Sequence, residues 1–166
     1  MGIKVGDIIK YVIVFIASMA PISEVRGAIP LARILLPNDS EFMLASIISV
    51  IGNLIVAPTV LYALGYLEKA IIKRCGVIGR VYGKALSLAR RKSKSVEKCG
   101  LLGLAAFVAI PLPATGAWTG SLVAYLLGLS KGKSLLAIEV GVLIASLIVY
   151  TSVVLGLEVV KKMFFM

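Results

Sequence analysis

The chain has 166 residues, of which 60% are hydrophobic and only 16% charged, and its mean hydropathy of +1.03 means more apolar surface than one soluble core can hide. It reads as an integral membrane protein. The net charge of +10 does not call for nucleic acid, because ten of the eighteen Lys and Arg lie between Lys69 and Lys98, beside apolar stretches, where the positive-inside rule accounts for them. With no His and two distant Cys, neither a metal site, a cofactor site nor a Ser-His-Asp hydrolase is expected, and the chain is read as a non-enzyme.

In chain order, Lys4 and Lys10 ahead of an apolar run ending Ala17-Ser-Met-Ala20 imitate a secretory signal. Pro21 would directly follow the cleavage point, so residues 1–22 are read as retained. From Ile8 to Leu36 the chain is long enough to cross once, but Glu24 and Arg26 divide it into pieces of about 15 and 10 residues. At about 1.5 Å per residue neither piece crosses a hydrocarbon layer about 30 Å thick. The expectation is a re-entrant hairpin with the Pro21–Pro30 break at its buried tip. Phe42 to Leu67 carries no charge and is expected to span.

The basic stretch 68–98 is expected to be a cytoplasmic loop, and alternating apolar and basic positions over Val77–Ala89 predict an interfacial helix within it. Cys75 and Cys99 at its edges are then free thiols in a reducing compartment. Cys99–Leu112 and Gly116–Leu129 give two more 14-residue pieces around a second break, Pro111–Gly120, and Leu135–Leu157, whose one charge is Glu139, gives a second span. Lys131-Gly-Lys-Ser134 is no phosphate loop, because the leading glycine would fall at Leu127.

The halves align at an offset of 92 residues, Phe15-x-Ala17 with Pro21 on Phe107-x-Ala109 with Pro113. A hairpin plus one span begins on one face and ends on the other, so a second copy is inverted. The expected fold is an all-α integral membrane protein of two inverted repeats, each a re-entrant helical hairpin followed by a transmembrane helix. The first repeat is 1–67 (hairpin 8–36, span 42–67) and the second is 99–166 (hairpin 99–129, span 135–157). Inverted repeats with discontinuous helices characterise transporters, with the site where the breaks meet near the midplane. In a multi-pass cell-membrane protein with loop 68–98 cytoplasmic, Pro37–Glu41 and both termini lie outside, unless the hairpin legs cross fully.

Glu24 is the first candidate. A carboxylate among apolar helices costs several kcal/mol unless paired, hydrated or protonated, and one so placed can couple proton uptake to access from either side. A static ion pair with Arg26 or Arg33 is the alternative. Arg26 and Arg33, seven residues apart, fall on one helix face and suit phosphate or carboxylate, although Arg33 near Pro37 also suits snorkelling to the surface. Gly27, Pro30, Pro111, Pro113 and Gly116 punctuate the hairpins, Thr115 and Thr119 add hydroxyls, and Trp118 adds an apolar wall with one donor. Asn53, Pro58, Ser146, Tyr150 and Thr151 are polar or bent positions facing the same cavity on this reading. Gly116, Gly120, Ala124 and Gly128, like Ala28 and Ala32, make smooth faces for close helix packing.

Glu24-Val-Arg-Gly-Ala-Ile-Pro-Leu-Ala32 together with Pro111-Leu-Pro-Ala-Thr-Gly-Ala-Trp-Thr-Gly120 resembles the small multidrug export protein family, which is itself similar to the DedA and VTT membrane proteins. The resemblance covers nearly the whole chain. It implies paired re-entrant hairpins, each followed by a span, and proton-coupled movement of polyprenyl phosphate or other lipids. It carries onto Glu24, Arg26, Gly27 and Pro30, and onto Pro111, Pro113, Thr115, Gly116, Trp118 and Gly120. DedA-type proteins also carry a basic residue in the second hairpin, whereas Cys99 to Ser130 is uncharged here. The leading expectation is a proton-coupled secondary transporter or flippase for a lipid-linked phosphate, with Glu24 taking the proton and Arg26 the headgroup. Its partners are membrane lipids and protons, with no nucleic acid, and a homodimer is left open. The alternatives are a small multidrug exporter of lipophilic cations and a non-transporting scaffold or assembly factor.

Overall fold

The computed structural model describes residues 5–74 and 97–165, which are all-helical. Helix α1 is Val5–Met19, α2 Glu24–Leu35, α3 Asp39–Arg74, α4 Glu97–Ala109, α5 Ala117–Leu126 and α6 Lys131–Phe165. The expected interfacial helix at 77–89 and Cys75 lie outside the described residues, whereas Cys99 is an exposed free thiol.

Two helices are long and apolar enough to cross a membrane, over Asp39–Glu68 in α3 and Lys131–Gly156 in α6. The other four are short. Helices α1, α2, α4 and α5 have 15, 12, 13 and 10 residues, so each runs about 15–22 Å, less than a bilayer core. Pro30 sits inside α2 and does not mark its end. The chain turns instead at two non-glycine residues with left-handed backbone, Glu24 (φ 46°) within the first break and Ala114 (φ 63°) within the second. Each costs roughly 1–2 kcal/mol, which the surrounding contacts must hold in place.

Helix α1 packs on α2 and α3, and α4 packs on α5 and α6. The second member of each short pair also crosses to the other long helix, α2 to α6 and α5 to α3, while α3 and α6 pack on each other. Exchanging the two halves maps this set of contacts onto itself. Helix starts at Glu24 and Asp39 recur 93 and 92 residues later at Ala117 and Lys131. Helices α4 and α6 pack closely, since a Cβ at Gly141 would meet both Val108 and the Ala105 carbonyl.

Small polar side chains share the interior with the apolar core, and many large apolar side chains lie outside. Ser18, Ser46, Ser49, Asn53, Ser121, Ser134 and Ser146 are buried, whereas Ile9 and Ile16 of α1, Ile47 and Ile51 of α3, and Leu143 and Leu147 of α6 are exposed. Outward apolar stripes on helices of this length are covered by hydrocarbon at no cost, whereas water would penalise them. The interior centres on Val25, Ile29, Leu36, Phe42, Val108 and Ile138.

Candidate functional site: the junction of the two helix breaks

A helix that starts or stops inside lipid leaves amides or carbonyls without partners. Here the two breaks satisfy one another. Glu24 at the head of α2 lies against the head of α5, where its Oε1 accepts from the Trp118 backbone N–H at 3.2 Å and the carboxylate also receives the Ala117 N–H. Its carboxylate therefore caps a helix of the other half, at the positive end of that helix dipole. Only glycine fits opposite it: a Cβ on Gly116 would overlap the Glu24 carboxylate.

Arg26 does the complementary work. Its Nη1 donates to Glu24 Oε2 at 2.5 Å, and its Nη2 donates to the carbonyls of Val108 (3.0 Å) and Ile110 (3.3 Å) and to Thr115 Oγ1 (3.1 Å). Those carbonyls belong to the C-terminal end of α4, so the guanidinium neutralises its partial negative charge. Thr115 Oγ1 in turn lies 2.7 Å from the Ile110 carbonyl and 2.9 Å from that of Leu112, fixing the turn. Trp118 Nε1 donates at 2.9 Å to the carbonyl of Met19, the last residue of α1. The pair is hidden: Glu24 is 4% exposed, and Arg26 Nε is buried with no hydrogen-bond partner.

The structure thus brings together Glu24, Arg26, Thr115, Gly116 and Trp118 from two sequence-distant motifs. Other candidates fall elsewhere. Arg33 stands apart from Arg26: it bonds Asp39 Oδ1 at 2.7 Å and lies 5.0 Å over the ring of Phe42, which stacks on Tyr150. A joint grip of one anion by both arginines is absent from this arrangement, because the short α2–α3 turn places a carboxylate beside Arg33. Gly27 faces Ser23, Pro30 is half-buried in α2, and Pro111 and Pro113 are exposed on the turn. Thr119 is half-buried, and Gly120 packs on Val108 and Ile138, a packing contact. Asn53 is wholly buried in α3. Among the described residues no group of three acidic, Cys or His side chains converges to hold a metal.

Sequence reasoning missed the backbone partners of the charged pair, namely the amides of Ala117 and Trp118 and the carbonyls of Val108 and Ile110, since any residue can supply them. One signal was available: Gly116 follows Glu24 by the same 92 residues that relate the halves. Ser146 and Tyr150, of the positions expected to face a cavity, line one of about 320 Å³ that begins at Ile29, three residues beyond Arg26, and runs between α3 and α6 past Ser46, Val50 and Leu143. Ser46 and Ser146 turn their hydroxyls onto their own helix, at the Phe42 and Val142 carbonyls, so the cavity wall is apolar. Its outer rim is the exposed Met43, Ile47, Leu143 and Leu147.

These features define an all-helical membrane protein with two membrane-length helices and two interlocked helix breaks. The family described as "Putative small multi-drug export protein" matches residues 24–148, about three quarters of the chain, and the chain belongs to it. The match begins at Glu24, inside the first break, and takes in the whole of the second. No curated protein and no solved structure matches the chain.

Proposed function

We propose that this chain is a proton-coupled secondary transporter or flippase that moves an amphipathic anion, of the lipid-linked phosphate class, across the cell membrane. The reading rests on the Glu24–Arg26 pair between the two breaks. Buried net charge is expensive, so each stable state of such a site must be close to neutral. Empty, the carboxylate and the guanidinium cancel. When a monoanion occupies Arg26, neutrality returns if Glu24 takes a proton, so anion and proton bind together and travel together. A cation on Glu24 would instead sit beside Arg26, with a repulsion of about 4 kcal/mol at 4 Å and an effective dielectric near 20. That comparison favours the anion over the lipophilic cation.

Three further observations support the reading. The apolar cavity starting at Ile29 offers a tail its place one helical turn from the guanidinium. The self-mapping contacts and the 92-residue offset suit two inverted repeats, with the short pairs as re-entrant hairpins. The family description is one of export. On this reading the segment between α3 and α4 faces the cytoplasm, and no ATP and no covalent chemistry are involved.

The test is reconstitution into liposomes with a labelled single-chain alkyl phosphate, following headgroup accessibility as a pH gradient is imposed. Accessibility should follow the gradient in the parent and lose that response in Glu24→Gln. Accessibility indifferent both to the gradient and to Glu24→Gln defeats the proposal. A Glu24→Gln, Arg26→Gln double variant with full cellular function would favour a scaffold role instead.

A further inference from the structure

Ser46, Ser49 and Asn53 occupy one face of α3, at i, i+3 and i+7, and all three are buried while Leu44, Ile47, Ile51 and Ile55 face outward. Hydroxyls in membrane helices normally close onto the carbonyl four residues earlier. Ser46, Thr59, Ser146, Thr151 and Ser152 do so here, at 2.7–2.8 Å. Ser49 does not, although the Ala45 carbonyl stands in the same position: its Oγ is buried without a partner. Neither Oδ1 nor Nδ2 of Asn53, which is 0% exposed, has a partner either. Unpaired groups of this kind cost several kcal/mol in a dry interior, and buried water bound to two or more polar atoms is how proteins relieve that cost.

The position of this face matters. Helix α2 leads into α3 through a short turn and packs back along it, and Ile29 shares a cavity wall with Ser46 and Val50. One turn earlier on α2 therefore brings Arg26 and Glu24 to the height of residues 50–54 on α3. From α1, the end of the first short helix reaches the same height, since a Cβ at Gly52 would meet Ser18 and Phe15. Asn53 thus stands level with the junction of the breaks. In the other direction the stripe ends at Ser46, and the buried Leu36, Phe42 and Ala45 separate it from the polar turn Asn38-Asp39-Ser40-Glu41.

We propose that Ser49 and Asn53 hold buried water molecules that relay protons to and from Glu24. The proposal rests on the reading that Glu24 takes up a proton during transport. Asn53 offers both donors and an acceptor and Ser49 one of each, so they orient water without titrating. Each hop breaks one O–H bond and forms the next, ending as an O–H bond on the Glu24 carboxylate, with no electron transferred. The charged group facing Glu24 is Arg26 of its own helix, and α5 faces it with backbone amides. On α1, Asp7 and Lys10 pair with each other near its start, and on α6 Glu139 follows Ile138, outside Glu24's hydrogen bonds. Neither supplies a competing route from those helices.

The experiment is time-resolved infrared spectroscopy of the full chain in liposomes after a pH jump, with Glu24→Gln identifying the Glu24 carboxyl band. Asn53→Leu, close in shape and apolar, and Ser49→Ala should slow the appearance of that band by about tenfold or more. Its final extent should be unchanged, and Asn53→Ser should restore most of the rate. A static structural role would move extent and folding without a selective change of rate. A band that forms at the parental rate in both Asn53→Leu and Ser49→Ala overturns the route while leaving the transport reading in place. A parent in which no Glu24 band responds to pH overturns both.

Discussion

Removing Arg26 should harm the fold more than neutralising Glu24, although the two form one ion pair. Arg26→Leu strips the Glu24 carboxylate of its counter-charge and leaves the Val108 and Ile110 carbonyls and Thr115 without their donor. Both side chains are well buried, at 15% and 6% exposure, so the interior value for breaking a pair applies, about 3–5 kcal/mol. Glu24→Gln keeps the shape but only one acceptor oxygen, so it holds the Trp118 amide or Arg26 and loses the other bond, at about 1.5–3 kcal/mol. In the double variant no carboxylate is stranded, and its cost should fall short of the sum of the two single costs by about 1–3 kcal/mol. Reversible unfolding in mixed micelles, titrated with a denaturing detergent at neutral pH, measures all three. A Glu24→Gln loss equal to or larger than that of Arg26→Leu, or strict additivity, would refute the claim that Arg26 ties the second break to the first.

Gly116→Ala should destabilise by about 2 kcal/mol or more and abolish probe accessibility changes in liposomes, because its Cβ displaces the Glu24 carboxylate from the head of α5. By contrast Arg33→Gln should cost about 1–2 kcal/mol in the same unfolding assay, since Asp39 is 88% exposed and what is lost is chiefly the packing of Arg33 over Phe42. Ile47→Trp, at the rim of the apolar cavity, should weaken retention of a long-chain alkyl phosphate about tenfold while leaving a headgroup-only phosphate unaffected, as read by competition binding.

What the chain discloses before folding is the part written in side-chain type. Uninterrupted apolar length marks α3 and α6, and charge with proline and glycine inside apolar runs marks the two breaks, because lipid tolerates neither without compensation. The limits of the breaks were harder to read. Pro30 looked like punctuation but continues α2, and the turning is done by Glu24 and Ala114, whose left-handed backbone has no compositional signature outside glycine. Within the site, Glu24 and Arg26 were visible as misplaced charges, whereas their partners are main-chain groups of residues 108, 110, 117 and 118. Arg33 stands two turns, about 10 Å, along α2 from Arg26, and the Asp39 that the α2–α3 turn sets beside it could not be read from the spacing. Ser49 gave no sign at all, since whether a helical serine bonds its own carbonyl depends on what surrounds it.

The 92-residue relation also explains why the site holds one acid and not two. On the repeat reading, Glu24 and Gly116 are equivalent positions, and in the folded chain they face each other across the junction. A true symmetric copy would place a second carboxylate where Gly116 now leaves room for the first. Two carboxylates within a few ångströms cannot both ionise in a site shielded from water, and one guanidinium cannot neutralise both. Loss of the side chain at 116 removes the clash and the repulsion together, and it exposes the head of α5 so that the surviving carboxylate can cap it. The uncharged second hairpin is then complementary to the first: it supplies dipole ends of both signs, α4 toward Arg26 and α5 toward Glu24, in place of a second pair of charges. A site built this way holds a single carboxylate, and on the proposed transport reading it would couple one proton to each turnover.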